Sequence, residues 1–434
     1  MIIENSTDAH TYVGFGFGAI QPGLLLYEAF RAQAFDRYVV AEIQPSLVDA
    51  MRRSEGRYTF NIASMDGVRQ VTLGPVDLVD VGVPADREQL VAAIAEAHEI
   101  GTAITTFDQY VMDIPGSLHR MIAEGLRRKV AQVGSKVLVY AAENHNRAKE
   151  MLKEAVMAEV PAPERDGVNA RVQFVNTVIS KMCGLVTDPE VIAAHDLAPM
   201  WPDVMPDRAL LVEDYDRLLI DEVTMPGFER GITIFEEKPD LLPFKEAKLF
   251  GHNGTHAIAA YLAGFRDATR MTELRAMDDL LRFLRAAFLE EAGAALIRKY
   301  AGVDPLFTQA GFADFVDGVL TRMVNPYLLD TVQRVGRDPR RKLGWEDRLV
   351  GTIRLGLQVG VDTPRYAFGA AAALATLEPG ILTGDLPAQD VLMAIWEPQE
   401  SDPEEAASVM SVIETALPPF KAWVQNGCGT LPVH

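Results

Sequence analysis

The sequence has few cysteines, little positive charge and no long apolar run. Only Cys183 and Cys428 occur in 434 residues, which excludes a disulfide framework and is typical of a reducing, cytoplasmic location. The chain has 41 Lys and Arg residues against 61 Asp and Glu residues, so its formal net charge is −20. Nucleic acids and anionic membranes bind through clustered positive charge, so we expect neither as a partner.

The apolar runs are also short. The run at 369–377 is well below the ~20 residues that span a bilayer. The polar start MIIENSTDAH does not have the pattern of a signal peptide. We therefore expect a cytoplasmic protein, in which an anionic substrate would need a local basic pocket.

The pattern of apolar residues changes along the chain. Up to about residue 235, strand-like runs at 11–18, 37–43, 101–107 and 136–144 alternate with helical patterns at 24–35, 87–97 and 118–133. This alternation predicts βαβ units and a parallel sheet. Later segments have helical periodicity almost throughout. We predict an α/β plus all-α protein, with a Rossmann-type domain at 1–235 and a mostly helical domain at 236–434.

A glycine-rich segment, GFGFGAI (14–20), follows the first strand-like run. Glycines at such a turn let the backbone approach a pyrophosphate, and the following helix N-terminus favours negative charge. Glu42 ends the second run, where an acid binds the ribose 2′-OH and repels a 2′-phosphate. We predict that NAD binds at Gly14, Gly16, Gly18, Ile20 and Glu42. The alternative is an ordinary glycine loop and a surface carboxylate.

The segment KLFGHNGTHA (248–257) opens a long apolar helical pattern. On an ideal α-helix, at about 100° per residue, Lys248, Asn253 and His256 fall within a sector of about 140°. A lysine of lowered pKa can take an alcohol proton, and an asparagine N–H can hold the developing oxyanion. Gly251 and Gly254 would let another element or a ligand come close. The alternative is a helix start with solvated polar residues.

The same segment, continued as KLFGHNGTHAIAAYL, resembles the signature of the polyol-specific long-chain dehydrogenases, the mannitol dehydrogenase family. EEAGAALIRKY (290–300), NPYLLDTVQRVGRDPRRKL (325–343) and DRLVG (347–351) resemble its mannitol-1-phosphate 5-dehydrogenase branch. AAENHNRA (141–148) resembles the acidic-Asn segment of the family. These matches occur in the family's order and at compatible spacing.

The resemblance implies that Lys248 is the general base in alcohol oxidation and the acid in ketone reduction. It implies that Asn253 and Asn144 form the oxyanion hole and that His256 orients the substrate. It also implies an NAD(P) cofactor and no catalytic zinc. His252 and His256 are four residues apart, as zinc ligands can be, but the Glu of HExxH and an evident third ligand are missing. We therefore predict no metal.

The segment from Arg334 to Lys342 is the local basic pocket that the acidic composition requires. It contains five cationic residues in nine. The resemblance implies that Arg334 and Lys342 contact substrate oxygens, and a guanidinium suits carboxylate or phosphate. We expect Arg337 and Arg340 at the surface. His252 stands where the branch has an apolar residue, and we predict that it lines the substrate pocket.

Two segments depart from the family pattern. Gln21-Pro22 replaces the usual residues of the phosphate loop, and Ser180-Lys181 replaces a typical Asp-Arg pair. The leading prediction is an NAD-dependent dehydrogenase of a secondary alcohol on an acyclic polyol or polyol phosphate. The alternatives are a hexuronate or aldonate reductase of the same family, acting on altronate or mannonate, and a non-catalytic NAD-binding sensor. The sequence leaves the oligomeric state open.

Overall fold

The computed structural model describes residues 10–145, 147–399 and 401–432. The chain divides into two compact units, Met1–Leu241 (unit 1) and Leu242–His434 (unit 2). The segment Phe235–Lys238, which the boundary expected at 235 would cut, is a strand of unit 1. Residues 1–9, which carry most of the segment judged not to be a signal peptide, lie outside the described residues.

Unit 1 is an α/β unit. Its strands are β1 Thr11–Phe15, β2 Arg37–Glu42, β3 Tyr58–Ala63, β4 Val68–Leu73, β5 Asp77–Asp80, β6 Ala97–Thr102, β7 Val137–Ala141, β8 Val172–Ile179, β9 Cys183–Val186, β10 Ala209–Glu213, β11 Leu218–Asp221 and β12 Phe235–Lys238. Its helices are α1 Leu26–Ala32, α2 Pro45–Arg53, α3 Pro84–Glu96, α4 Leu118–Ala131, α5 Ala148–Glu159, α6 Arg165–Asn169 and α7 Pro189–Ala194. A π-helical turn, Gln21–Leu25, leads directly into α1.

The strands of unit 1 form two sheets. The larger has the order β12-β11-β8-β7-β6-β1-β2-β5, and the smaller has the order β4-β3-β10-β9. In the larger sheet β1 pairs in parallel with β2 on one side and with β6 on the other. The predicted Rossmann-type parallel sheet is therefore confirmed. The strand order reverses at β1: β2 and β5 lie on one side of it, and β6, β7 and β8 lie on the other. Ligands of such sheets bind at this reversal, beyond the carboxyl ends of the strands.

The central strands β1, β2 and β7 of the larger sheet are buried on both faces. Tyr12 and Val40 belong to one apolar cluster, whereas their neighbours Val13 and Val39 belong to a second cluster. Because successive side chains of a strand point to opposite faces, each of these strands contributes to both cores. This double burial explains why the strands read as continuous apolar runs.

Unit 2 is mostly helical, as predicted. Its helices are α8 Leu242–Glu246, α9 Gly254–Gly264, α10 Asp278–Ala286, α11 Ala294–Lys299, α12 Gln309–Met323, α13 Val332–Gly336, α14 Pro339–Lys342, α15 Val350–Val359, α16 Pro364–Leu377, α17 Gly380–Thr383, α18 Ala388–Trp396 and α19 Pro403–Gln425. π-Helical turns at Ala247–Asn253 and Ala287–Gly293 join α8 to α9 and α10 to α11. In the part of the chain that the structure describes, each helix is too short or too polar to cross a membrane.

Candidate functional site

A cavity of about 140 Å³ lies in unit 1, beyond the carboxyl ends of β1, β2 and β6. Its walls come from the loops that follow these strands and from the segment before α4. The lining residues are Phe15, Gly16, Phe17, Gly18, Ala41, Glu42, Ile43, Gln44, Val81, Ala103, Ile104, Thr105, Gln109, Met112, Ile114, Gly116, Ser117 and Leu118. The cavity therefore occupies the position at which a parallel sheet of this kind binds ligands.

Two of the predicted glycines line this cavity. Gly16 has φ +82°, and a Cβ on it would lie 2.8 Å from the carbonyl oxygen of Ala103. A Cβ on Gly18 would meet no atom within 4 Å, because this residue faces open space. Gly16 therefore serves the turn, and Gly18 leaves the backbone accessible to a ligand.

The other two residues predicted for the phosphate loop have different surroundings. Gly14 lies within β1, where a Cβ would be 2.3 Å from Nε2 of Gln21. Gln21 is fully buried and donates from Nε2 to the hydroxyl of Tyr12 at 2.8 Å. Ile20 packs against the core of unit 1. The Gln21-Pro22 departure thus fills the space beside Gly14 with a side chain and begins the helix with a π-helical turn.

Glu42 lies at the end of β2 with its carboxylate at the cavity. Oε2 accepts a hydrogen bond from the backbone N–H of Phe17 at 2.6 Å. Oε1 accepts from the N–H groups of Ile43 at 2.7 Å and Gln44 at 2.9 Å. The carboxylate therefore ties the glycine loop to the end of β2. Together with Gly16 and Gly18, it could hold the ribose and pyrophosphate of a dinucleotide.

Glu143, the acidic residue of the segment AAENHNRA, is a buried carboxylate just after β7 for which the sequence predicted no role. It accepts hydrogen bonds from the hydroxyls of Tyr110 at 2.5 Å and Thr102 at 3.0 Å, and from the N–H of Ile104 at 3.1 Å. Burial raises the pKa of this carboxyl. Glu143 thus joins the loops after β6 and β7. Asn144, predicted for the oxyanion hole, is the next residue in this unit 1 loop.

The other three predicted catalytic residues lie in unit 2, on one continuous helical segment. Lys248 and Asn253 belong to the π-helical turn Ala247–Asn253, and His256 lies in the first turn of α9. This arrangement differs from the regular α-helix assumed for the sequence. Because π-helical hydrogen bonds join residues five apart, Lys248 and Asn253 lie about one turn apart on nearly the same face of the helix. On a regular α-helix they would be separated by about 140° around the axis.

The bases on this segment are shifted toward their neutral forms. Burial, with the charges of Arg348 and Lys245, lowers the pKa of Lys248 to about 8. Burial also lowers the pKa of His256 to about 4, although Asp330 opposes this shift. The pKa of His252 lies well below its usual range for the same main reason. A base of pKa near 8 can both accept and return a proton close to neutral pH.

His252 and His256 also have ring nitrogens without a hydrogen-bond partner among the described residues. These buried atoms are Nδ1 of His252 and Nε2 of His256. The ring centroids are 6.0 Å apart, and Nε2 of His256 lies 3.7 Å from Oδ2 of Asp330. Within the described ranges, no group of three or more His, Cys, Asp or Glu side chains is arranged to hold a metal ion.

The predicted basic residues are both engaged within unit 2. Arg334 donates from Nε and Nη2 to the two carboxylate oxygens of Asp330, each at 2.6 Å, and its side chain is 52% exposed. Lys342 is buried and donates from Nζ to the carbonyl oxygens of Val335, at 2.7 Å, and Arg337. Arg334 and His256 therefore share Asp330. Arg337 and Arg340 are exposed, as expected.

Sequence reasoning missed Arg348, which precedes α15. Its side chain is 12% exposed, and Nε donates to Oδ1 of Asp347 at 2.7 Å. Its positive charge lowers the pKa of Lys248, His252 and His256. The available signal was its place in DRLVG, one of the segments that resemble the family. The cationic surroundings of these bases thus extend beyond the segment from Arg334 to Lys342.

The Ser180-Lys181 departure lies in unit 1. The side chain of Lys181 is 1% exposed, and its Nζ lies 3.9 Å from Oε1 of Glu28 in α1. It also lies 5.4 Å from the ring centroid of Tyr27. Burial raises the pKa of Glu28, while Arg31 and Lys181 oppose that shift. Lys181 is therefore placed against α1, with an acidic and an aromatic neighbour.

Comparisons with known proteins cover most of the chain. A model of the mannitol dehydrogenase Rossmann domain matches residues 10–226, and a model of the mannitol dehydrogenase C-terminal domain matches residues 240–399. Mannitol-1-phosphate 5-dehydrogenase of Bacillus licheniformis is 29% identical over 360 residues, which cover 83% of this chain and 86% of that protein.

Two solved structures share the fold at low sequence identity. Substrate-free D-sorbitol dehydrogenase has a TM-score of 0.74 and 14% identity, with 98% of both chains covered. Mannitol 2-dehydrogenase of Pseudomonas fluorescens, in a ternary complex with NAD and D-mannitol, has a TM-score of 0.69 and 16% identity. That match covers 97% of this chain and 95% of the other.

Proposed function

This chain belongs to the mannitol dehydrogenase family, and from that premise we propose that it is an NAD-dependent dehydrogenase of polyols. The reaction would interconvert a secondary alcohol of an acyclic polyol or polyol phosphate with the corresponding ketose. The observation that carries this proposal is Lys248, whose pKa is lowered to about 8 on the same helical segment as Asn253 and His256. The relative from Bacillus licheniformis favours a phosphorylated polyol.

Lys248 would act as the general base in oxidation. Bound NAD would supply the acceptor for the hydride of the alcohol carbon. The hydroxyl proton of that carbon passes to neutral Lys248 Nζ as the C=O bond forms, so alcohol and NAD⁺ give ketone, NADH and one proton. In the reverse direction the protonated lysine returns this proton to the alkoxide oxygen. A pKa of about 8 leaves both protonation states populated near neutral pH.

Amide and imidazole groups would hold the substrate oxygen. We assign the side-chain N–H groups of Asn253 and Asn144 to the oxyanion hole, because fixed N–H donors stabilise the charge that develops on this oxygen. With its pKa lowered to about 4, His256 is neutral at physiological pH. A neutral imidazole donates through one nitrogen and accepts through the other, which suits it to orient a hydroxyl.

The cavity of unit 1 would hold the cofactor. Gly16 and Gly18 leave room for the pyrophosphate beside the backbone, and Gly14 and Ile20 support the loop from the strand and the helix start. The carboxylate of Glu42 would accept hydrogen bonds from the ribose hydroxyls. Because that negative charge repels a 2′-phosphate, we expect NAD to be preferred to NADP.

The cationic residues of unit 2 would bind the part of the substrate that does not react. Arg334 and Lys342 are assigned to substrate oxygens, and His252 to the wall of the pocket. The positive charges of Arg334, Lys342 and Arg348 all lower the pKa of His256, which supports an anionic or polyhydroxylated substrate. A sugar carboxylate would satisfy the same groups, so an aldonate substrate is the second candidate.

A substrate panel tests the proposal. Mannitol-1-phosphate, mannitol, altronate and mannonate are each incubated with NAD or NADP, and formation of the reduced cofactor is followed. We expect the highest kcat/KM for mannitol-1-phosphate with NAD. Oxidation of altronate or mannonate alone would select the sugar-acid alternative. Binding of NAD without turnover of any of the four compounds would contradict a catalytic function and favour a sensor.

A further inference from the structure

The π-helical turn that carries Lys248 has an external hydrogen-bond donor. In a regular α-helix the N–H of Gly254 would donate to the carbonyl oxygen of Phe250. Here the N–H of Gly254 donates to the carbonyl oxygens of Leu249 and Gly251 instead. The hydroxyl of Tyr366, in the first turn of α16, donates to the carbonyl oxygen of Phe250 at 2.5 Å. The hydroxyl of Tyr366 thus donates to the carbonyl oxygen that would accept from Gly254 in a regular α-helix.

A second hydroxyl supports the same carbonyl group. Oγ1 of Thr352, in α15, lies 3.4 Å from the carbonyl oxygen of Phe250 and donates to the carbonyl oxygen of Arg348 at 2.7 Å. Tyr366 makes the shorter contact with Phe250, and burial raises its pKa. Its hydroxyl therefore keeps its proton and stays a donor throughout the neutral pH range.

Two glycines allow this packing. A Cβ on Gly254 would lie 2.8 Å from the ring carbon Cε1 of Tyr366 and 2.9 Å from its hydroxyl oxygen. A Cβ on Gly251 would lie 2.3 Å from the ring of Phe288. The expectation that these glycines let another element come close is therefore confirmed. The approaching groups are the side chains of Tyr366 and Phe288.

Tyr366 is itself fixed by a buried carboxylate, Glu291. The side chain of Glu291 is 2% exposed, and it accepts from the backbone N–H groups of Arg365 and Tyr366, both at 2.9 Å. An acid here satisfies the free N–H groups of the first turn of α16. Glu291 lies in the second π-helical turn, Ala287–Gly293, which also carries Phe288. The segment EEAGAALIRKY thus supports the catalytic helix through Tyr366.

We propose that Tyr366 is a positioning residue for the reaction. Its hydroxyl maintains the π-helical turn Ala247–Asn253, and that turn places Lys248 and Asn253 about one helical turn apart. Without the donor, the segment would relax toward α-helical bonding, in which residues five apart point in different directions. This inference rests on the proposed function, because it assigns Tyr366 to the alignment of the base and the oxyanion donor.

The kinetic test uses Tyr366→Phe in the full chain, with mannitol-1-phosphate and NAD as the probes. We expect kcat to fall about 10- to 100-fold, the cost of a lost hydrogen bond in alignment, with KM within about threefold. Deuterium on the carbons of mannitol-1-phosphate should slow the variant more than the wild type. A loss of folded enzyme alone would leave this isotope effect unchanged. Unchanged kcat, or a lower kcat with the wild-type isotope effect, would overturn the proposal.

Thr376→Val is the matched control, because Thr376 also lies in α16 and its hydroxyl donates to Ala372 at 2.8 Å within that helix. It should leave kcat and the isotope effect unchanged. Thr352→Val removes the longer contact and should act in the same direction as Tyr366→Phe, but less strongly. It also provides a test if the tyrosine variant does not fold.

A second measurement does not depend on turnover. Hydrogen exchange of backbone amides at 247–257 should be at least about tenfold faster in Tyr366→Phe than in the wild type or in Thr376→Val. Unchanged exchange would overturn the structural part of the inference. If the wild type oxidises none of the four panel compounds, the proposed function fails, whereas the exchange result still decides whether Tyr366 maintains the turn.

Discussion

The candidate sites of the two units use buried ionisable groups in different ways. In unit 1 the carboxylates of Glu42 and Glu143 accept hydrogen bonds from the backbone and hydroxyl groups around them, and so join neighbouring loops. In unit 2 burial and neighbouring cations lower the pKa values of Lys248, His252 and His256. Binding a cofactor requires a fixed loop, whereas moving a proton requires a base that changes charge near neutral pH.

Removal of the base should have the largest effect. We expect Lys248→Ala to lower kcat for polyol oxidation about 10³-fold, because general base catalysis contributes about 10²–10⁴-fold. The affinity for NAD, titrated by fluorescence, should change less than about twofold, since the variant leaves the unit 1 cavity intact. Lys421→Ala, in α19, is the control of equal side-chain change. Turnover near the wild-type value in Lys248→Ala would exclude this lysine as the base.

Removal of the carboxylate in unit 1 should have the opposite profile. We expect Glu42→Ala to weaken NAD binding about 10- to 100-fold, because hydrogen bonds to a charged group contribute about 1.5–3 kcal/mol. The preference for NAD over NADP should shrink, while kcat at saturating NAD should stay within a few-fold of the wild type.

The control for this variant is Asp49→Ala in α2, whose side chain is 69% exposed. Unchanged NAD affinity in Glu42→Ala would contradict the assignment of the cavity. A loss of kcat at saturating NAD would show instead that the two units do not divide binding and chemistry as proposed.

The sequence predicted those features of the two sites that depend on local pattern. The alternation of strands and helices, the loop at Gly16 and Gly18, and the acid at Glu42 follow from short-range periodicity and spacing. Pattern alone could not show that Gly14 faces the buried side chain of Gln21. The dinucleotide fingerprint specifies which residues lack a side chain. It does not specify whether a ligand or another side chain occupies the space beside them.

Tertiary contacts decide the parts that the sequence did not reveal. The π-helical turn at Ala247–Asn253 adds one residue to a single turn, which is too local to alter the apolar periodicity of a long helix. Its donor, Tyr366, is more than one hundred residues away in sequence. Likewise, the influence of Arg348 on the bases and the approach of Asp330 to His256 arise only once the helices are packed.

The pH dependence of turnover should distinguish the chemistry of unit 2 from the binding of unit 1. With its pKa at about 8, Lys248 must lose its proton to act in oxidation. We therefore expect kcat/KM for oxidation to rise about tenfold per pH unit below about pH 8 and to level off above it. For ketone reduction, which needs the protonated lysine, kcat/KM should fall as the pH rises through the same value.

The affinity for NAD should stay nearly constant over this range. Profiles of kcat/KM and of the NAD dissociation constant, measured from about pH 6 to about pH 9.5, check both statements. If kcat/KM for oxidation is flat or falls with pH, the base is not a group of pKa near 8. The assignment of proton transfer to Lys248 of unit 2 would then be wrong.

The smallest effect on activity is expected for a carboxylate of unit 1 that also titrates near neutral pH. Glu99, in β6, is fully buried and accepts from the hydroxyl of Tyr140 at 2.9 Å and from the N–H groups of Gly231 and Ile232. Burial raises its pKa to about 7. Because the native state then binds this proton more tightly than the unfolded state, Glu99 favours folding below about pH 4.5, and this stabilisation is lost as the pH rises through about 7.

Glu99→Gln should remove that pH dependence. Relative to the variant, the free energy of unfolding of the wild type should decrease by on the order of 2 kcal/mol between about pH 4.5 and about pH 7. Urea unfolding at a series of pH values measures this difference, and parallel curves for the two proteins would contradict it. kcat should change less than about twofold, because the carboxyl lies within the sheet and not at the cavity. Glu99 would then be shown to contribute to stability and not to turnover, although its pKa, like that of Lys248, lies near neutral pH.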